Sequence, residues 1–125
     1  MKALTPEQVL QLHARVVERV GGSPGVRDRG AVEAALTRPF AEFDGVEAFP
    51  SVPDKAAALL HGLVTGHPFV DGNEHVGLAA MLIWLETNGY RLALDAEGRY
   101  STTMRVAAGS LSVTALATLL ADVID

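Results

Sequence analysis

Residues 76–85, Val-Gly-Leu-Ala-Ala-Met-Leu-Ile-Trp-Leu, place ten positions in a row without a charge. Wound as a helix, this run is apolar on nearly every side, and such a helix persists in water only when other elements surround it. It is too short to cross a bilayer, which takes about 20 apolar residues. The remainder of the chain therefore has to build a shell around a central buried helix, which Asn88-Gly89 ends. Met81 and Trp84 read as core fillers of that shell. With 125 residues, 49% of them hydrophobic, one domain over 1–125 has enough apolar surface for a single core, and disorder is excluded.

The shell is legible as further helices. Thr5-Pro6-Glu7-Gln8 is a cap, a first-turn proline and a capping-box Gln, followed by one apolar face at Val9, Leu12, Val16 and Val20 that Gly21-Gly22 closes. His13 falls inside that helix and reads as packed or solvated. Residues 23–30 form a turn-rich connector, with Arg27 and Arg29 expected in solvent. Asp28 caps a short helix over 31–37 that turns Val32, Ala35 and Leu36 inward. Residues 40–53 hold three phenylalanines, two prolines and an Asp44-Gly45 turn, without helical period. Pro53-Asp54 starts a helix whose core face is Ala56, Leu59, Leu60, Leu63 and Val64; His61 lies off that stripe. Asp95 caps a helix with Tyr100, Met104 and Ala108 on its face. Ser112 begins the last, with Val113, Leu116, Ala117, Leu120 and Ile124. No pair of alternating runs predicts a sheet. The expected fold is all-α, a compact bundle of about six helices.

Chemistry concentrates between two of these helices, in His67-Pro68-Phe69-Val70-Asp71-Gly72-Asn73-Glu74-His75. Pro68 ends the preceding helix near His67. Gly72 allows a tight reversal, and Asn73 is placed to cap the next helix. A helix start of this kind presents bare N–H groups, which attract phosphate. His67 can accept a proton, and Asp71 can hold a divalent cation against that phosphate.

Seven positions in register, 67–73, resemble the signature of the Fic/Doc family, His-x-Phe-x-(Asp/Glu)-(Gly/Ala)-Asn-(Lys/Gly)-Arg. Gly22-Ser23-Pro24-Gly25-Val26-Arg27-Asp28, followed by Val32-Glu33-Ala34-Ala35-Leu36, resembles the family's Doc branch. The resemblance implies a Fic fold in which His67 is the catalytic histidine and Asp71 the magnesium-associated carboxylate. Gly72 and Asn73 would hold phosphate, and Phe69 would anchor the loop. Residues 40–53 would form a flap that docks the target. Most Fic proteins transfer AMP from ATP and carry a second arginine where this chain has Leu78. The Doc branch lacks that arginine and phosphorylates elongation factor Tu. The resemblance therefore implies a Doc-like toxin that uses ATP and Mg2+ and is silenced by a Phd-like antitoxin.

Two positions depart from the signature. Glu74 replaces Lys or Gly and repels a triphosphate, although it complements the helix dipole. His75 replaces Arg and loses a fixed bidentate fork for phosphate-binding. A weakened transferase is the expectation, with AMP transfer or a catalytically inactive, partner-binding protein as alternatives. The four-residue spacing of His67, Asp71 and His75, with Glu74 adjacent, also permits a zinc reading, which Pro68 and Gly72 oppose by breaking the helix. A formal charge of −5 excludes a general DNA-binding surface. The chain has no cysteine, and residues 1–7 lack the apolar core of a signal peptide, so a cytoplasmic protein is expected.

Overall fold

The computed structural model describes residues 1–125. Six helices carry the fold: α1 (Pro6–Val20), α2 (Arg29–Thr37), α3 (Val52–Gly66), α4 (Asn73–Thr87), α5 (Ala96–Ala107) and α6 (Val113–Ala121). Their starts follow the local chemistry. Thr5, Asp28, Asp95 and Ser112 each accept an N–H of the first turn, and Thr5 and Gln8 close the capping box. Ser51, with Asp54 three residues on, makes a second capping box at α3. No helix is long and apolar enough to cross a membrane.

The all-α bundle is as expected, but its hub is α3 rather than α4. Helix α3 packs against α2, α4, α5 and α6 and buries Ala56, Ala57, Ala58, Leu59, Leu60, Leu63 and Val64. The alanine run lets neighbours approach from several sides. Helix α4 buries Val76, Gly77, Ala80, Met81, Trp84 and Leu85 against it, while Ile83 remains 41% exposed. Gly77 is needed at the crossing, because a Cβ there would stand 2.9 Å from Val64 Cγ2. The apolar run at 76–85 thus leaves an unshielded strip.

Two other elements differ from the sequence reading. A two-stranded antiparallel hairpin, β1 (Glu42–Phe43) and β2 (Val46–Glu47), turns at Asp44-Gly45. Strands of two residues are too short to register as alternation. The buried Lys55 of α3 staples this hairpin: its Nζ donates to Glu47 Oε1 at 2.8 Å and to the Phe49 carbonyl, and lies over the Phe40 ring. Helix α5 buries Thr102, Thr103 and Val106, whereas Tyr100 is exposed. Thr103 can be buried because its hydroxyl donates to the Arg99 carbonyl one turn back, at 2.8 Å.

His61 sits off the α3 core stripe, as expected, and its Nδ1 accepts from Arg38 Nη1 at 3.1 Å. Burial first, and the Arg38 charge second, lower its pKa from 6.5. The unfolded chain then binds the extra proton more readily, so this contribution to stability is present above 6.5 and is lost as pH falls from there through the lower folded value. The melting temperature is expected to drop with acidification over that range, and His61→Asn to flatten the slope. An unchanged slope would show that His61 does not contribute.

Candidate active site

Helix α3 stops at His67, whose backbone takes the left-handed conformation (φ 47, ψ 53). Non-glycine residues seldom do so, histidine less rarely than most. Arg27 secures this end: Nε donates to the His67 carbonyl at 2.8 Å and Nη2 to the Gly66 carbonyl at 3.2 Å. Arg27 is exposed, as expected, and from that position it also satisfies two carbonyls that a helix C-terminus leaves open. The main chain of 25–28 runs antiparallel along the loop. Arg27 and Asp28 N–H groups donate to the Pro68 carbonyl at 2.9 and 3.0 Å, and Val70 N–H to the Gly25 carbonyl at 3.0 Å. Gly25 permits that approach, since a Cβ would lie 2.8 Å from Val70 Cγ2.

Phe69 points inward and is 1% exposed. Asn73 grips it from both sides: Oδ1 accepts the Phe69 N–H and Nδ2 donates to the Phe69 carbonyl, both at 3.0 Å. Asn73 was expected to cap α4. The cap is Gly72 (φ 80), with no side-chain cap bond, because the Asn73 amide is spent on the loop. The N–H groups of Gly72, Asn73, Glu74 and His75 consequently have no acceptor in the protein. Four bare amides at a helix start are donors of the kind that an anion can accept from.

The floor of the loop comes from a residue with no local signal. His13 of α1 is 2% exposed, stacks on Phe69 with ring centres 3.9 Å apart and planes 7° apart, and donates from Nε2 to the Asp71 carbonyl at 2.9 Å. The sequence reading of a packed histidine is correct, but its partner lies 58 residues away. A helical histidine three residues ahead of Val16 carries no mark of such a contact.

The structure brings the expected site residues onto one loop and the first turn of α4. The His67 and Asp71 side chains face solvent. Asp71 Oδ2 accepts the Ser23 N–H at 2.9 Å, so Oδ1 is the oxygen left without a protein partner. Two depressions flank His75. One, about 240 Å³, is lined by Glu74, His75, Leu78, Tyr100, Thr103 and Met104. The other, about 390 Å³, lies between α1 and α4 and includes Arg15, Arg19 and Ala79. The zinc reading finds no support, because no three His, Cys, Asp or Glu side chains come together as a ligand set.

The model of the Fic/DOC family matches residues 3–85, which include α1, the connector and the whole loop. The chain belongs to the Fic/DOC family. A curated relative called Toxin Doc, from Mycolicibacterium smegmatis, is 48% identical over 75 residues, 60% of this chain. That alignment spans 58% of the relative's length. A second, called Protein kinase doc, from Escherichia phage P1, is 31% identical over 117 residues, 94% of this chain and 91% of the phage protein.

Both stretches that resemble the Fic/Doc family pack into one structure. The connector 22–28 is the outer wall of the 67–73 loop, joined by main-chain bonds and by the Arg27 side chain. The donor set suits a magnesium-bound polyphosphate in part: unpaired amides for phosphate oxygens, and Asp71 Oδ1 for a hard cation. Glu74 acts against it, placing a carboxylate one residue into α4 where the family has a cation or glycine.

Proposed function

We propose that this chain is a Doc-like toxin of a toxin–antitoxin system that transfers phosphate from ATP to a hydroxyl of a translation factor, elongation factor Tu, in the cytoplasm. The observation that carries this reading is the row of four bare amides at 72–75, reached by a rigid loop from the exposed His67. The names of the two relatives support the toxin and kinase parts. Phosphoryl transfer depends on positioning and charge neutralisation more than on covalent chemistry by the protein. His67 takes the proton of the target hydroxyl as its oxygen bonds to the terminal phosphorus. The bond from that phosphorus to the bridging oxygen then breaks, leaving ADP. The amides of Gly72, Asn73, Glu74 and His75 hold the transferring phosphate, and Asp71 orients the cation. Magnesium, when bound, neutralises phosphate charge. Phe69 keeps the loop in register. The hairpin β1–β2, with Phe43 81% and Val46 68% exposed, is the flap that meets the target. A Phd-like antitoxin completes the system.

Glu74 and His75 weaken this activity and favour a second reading, a protein that acts by binding alone. The test is a mass-spectrometric assay for phosphate or AMP on elongation factor Tu with ATP and magnesium, run on this chain and on Glu74→Lys/His75→Arg. Restoring the two cations is expected to raise transfer by about tenfold or more, the value of a charged hydrogen bond to phosphate. Phosphate on the target supports the kinase reading and AMP the transferase alternative. No modification by either protein would leave the binding-only reading.

A further inference from the structure

The anion seat at 72–75 has no cation of its own, and Glu74 adds a negative charge beside it. The two sides of α4 are nevertheless unlike. Glu74 shares a depression with His75 and the α5 residues Tyr100, Thr103 and Met104. The α1 side contains no acidic residue: its 390 Å³ depression is lined by Leu12, Arg15, Val16, Arg19, Val20, His75 and Ala79. Arg15 and Arg19 are four apart on α1, so they project from the same face. Both are exposed. Neither has a carboxylate partner, whereas Arg29 and Arg91 are engaged in ion pairs. Helix α1 lies close to the seat, for a Cβ on Gly72 would stand 3.6 Å from Val16 Cγ1. Arg19 is three residues beyond Val16 in the last turn of the helix, and the Gly22-Ser23 turn that follows grips Asp71.

We propose that Arg19, with Arg15 behind it, supplies from α1 the positive charge that the α4 turn lacks at His75, so that bound phosphates lie on the α1 side of the seat. This deepens the nucleotide reading above and depends on it for the identity of the ligand, but not for the charge arrangement. A guanidinium brings paired N–H donors suited to phosphate oxygens, and an unpaired one loses no ion pair when the ligand arrives. Residues 74 and 75 then differ in consequence. Arg19 stands in for part of the charge missing at 75, so most of the gain from Glu74→Lys/His75→Arg comes from removing the Glu74 carboxylate beside the seat.

The test separates the two layers. Inorganic tripolyphosphate is titrated into the full chain, its Arg19→Gln and His75→Arg variants and their combination, with the amide resonances of 72–75 followed by NMR and melting curves confirming the fold. Arg19→Gln is expected to weaken binding about tenfold. In the His75→Arg background the same change should cost less than about threefold, because two cations serving one phosphate are not additive. Arg15→Gln should have the smaller effect. Equal binding by the parent and Arg19→Gln, or absence of tripolyphosphate binding to the parent, overturns the inference. Arginine-dependent binding without transfer from ATP would uphold it and refute the kinase reading instead.

Discussion

Replacing His67 with alanine is expected to reduce phosphate transfer by about 10²–10⁴-fold, the usual contribution of a positioned general base, while leaving the melting temperature nearly unchanged. The two effects separate because the His67 ring faces solvent and packs into no core. Its neighbours hold only its main chain, through the Arg27 bond to the carbonyl. Exposed substitutions of this kind shift stability by less than about 0.5 kcal/mol. Glycine provides the sharper form of the experiment. At φ 47 a side chain is strained, and glycine relieves that strain by about 1 kcal/mol. His67→Gly should therefore melt higher than the parent and transfer as poorly as His67→Ala. A residue that stabilises the fold when removed and abolishes activity when removed is held for chemistry. If His67→Gly melted lower, the left-handed turn would be a packing feature; if His67→Ala and His67→Gly kept full transfer, the base would have to be sought elsewhere. Binding of tripolyphosphate should survive both changes, since the amides of 72–75 are untouched.

The helices were legible because their starts are written locally. A capping side chain and the N–H it accepts are separated by three residues, and Thr5, Asp28, Asp95 and Ser112 all cap where their neighbours imply. The loop was legible for the same reason, its proline, glycine and histidine acting on adjacent backbone. What the sequence could not show was which helix becomes the hub. Residues 76–85 are the more hydrophobic run, yet α3 is more enclosed, because Ala56, Ala57 and Ala58 admit close neighbours, whereas Ile83 of α4 faces solvent. The α5 face was misread because that helix has few apolar residues, so a threonine with a satisfied hydroxyl outcompetes Tyr100 for the interior. The partners of Arg27 and Asn73 were hidden by one common cause. Each satisfies backbone groups of the loop, and demand for such partners is visible only once the loop has closed.

His13 is the extreme case of that dependence on distant partners, and its loss should have the largest effect on the fold around the site. His13→Ala removes a ring stacked on Phe69 and leaves the Asp71 carbonyl without its donor. Truncating a buried aromatic costs about 3–5 kcal/mol when the cavity cannot collapse, and an orphaned buried carbonyl adds roughly 1–3. Because histidine is smaller than phenylalanine and the carbonyl can recruit water through the vacated space, a total of about 3 kcal/mol is the expected value. A domain stable by about 5–15 kcal/mol remains folded after that loss. Amide exchange at Phe69, Val70 and Val76, whose N–H groups donate to Asn73 Oδ1 and to the Gly25 and Gly72 carbonyls, should accelerate more than exchange at Leu116 or Leu120 of α6, which lie away from the loop. Two further variants divide the effect. His13→Phe keeps the stack and loses the donor; His13→Gln keeps a donor and loses the ring. If positioning of Asp71 is what matters to the site, His13→Phe should retain most of the stability yet bind tripolyphosphate more weakly than the parent. His13→Gln should be the less stable of the two and the better binder. The opposite order would mean that the α1 histidine serves the core alone, and that the geometry of the anion seat is set by Asn73 and the connector without it.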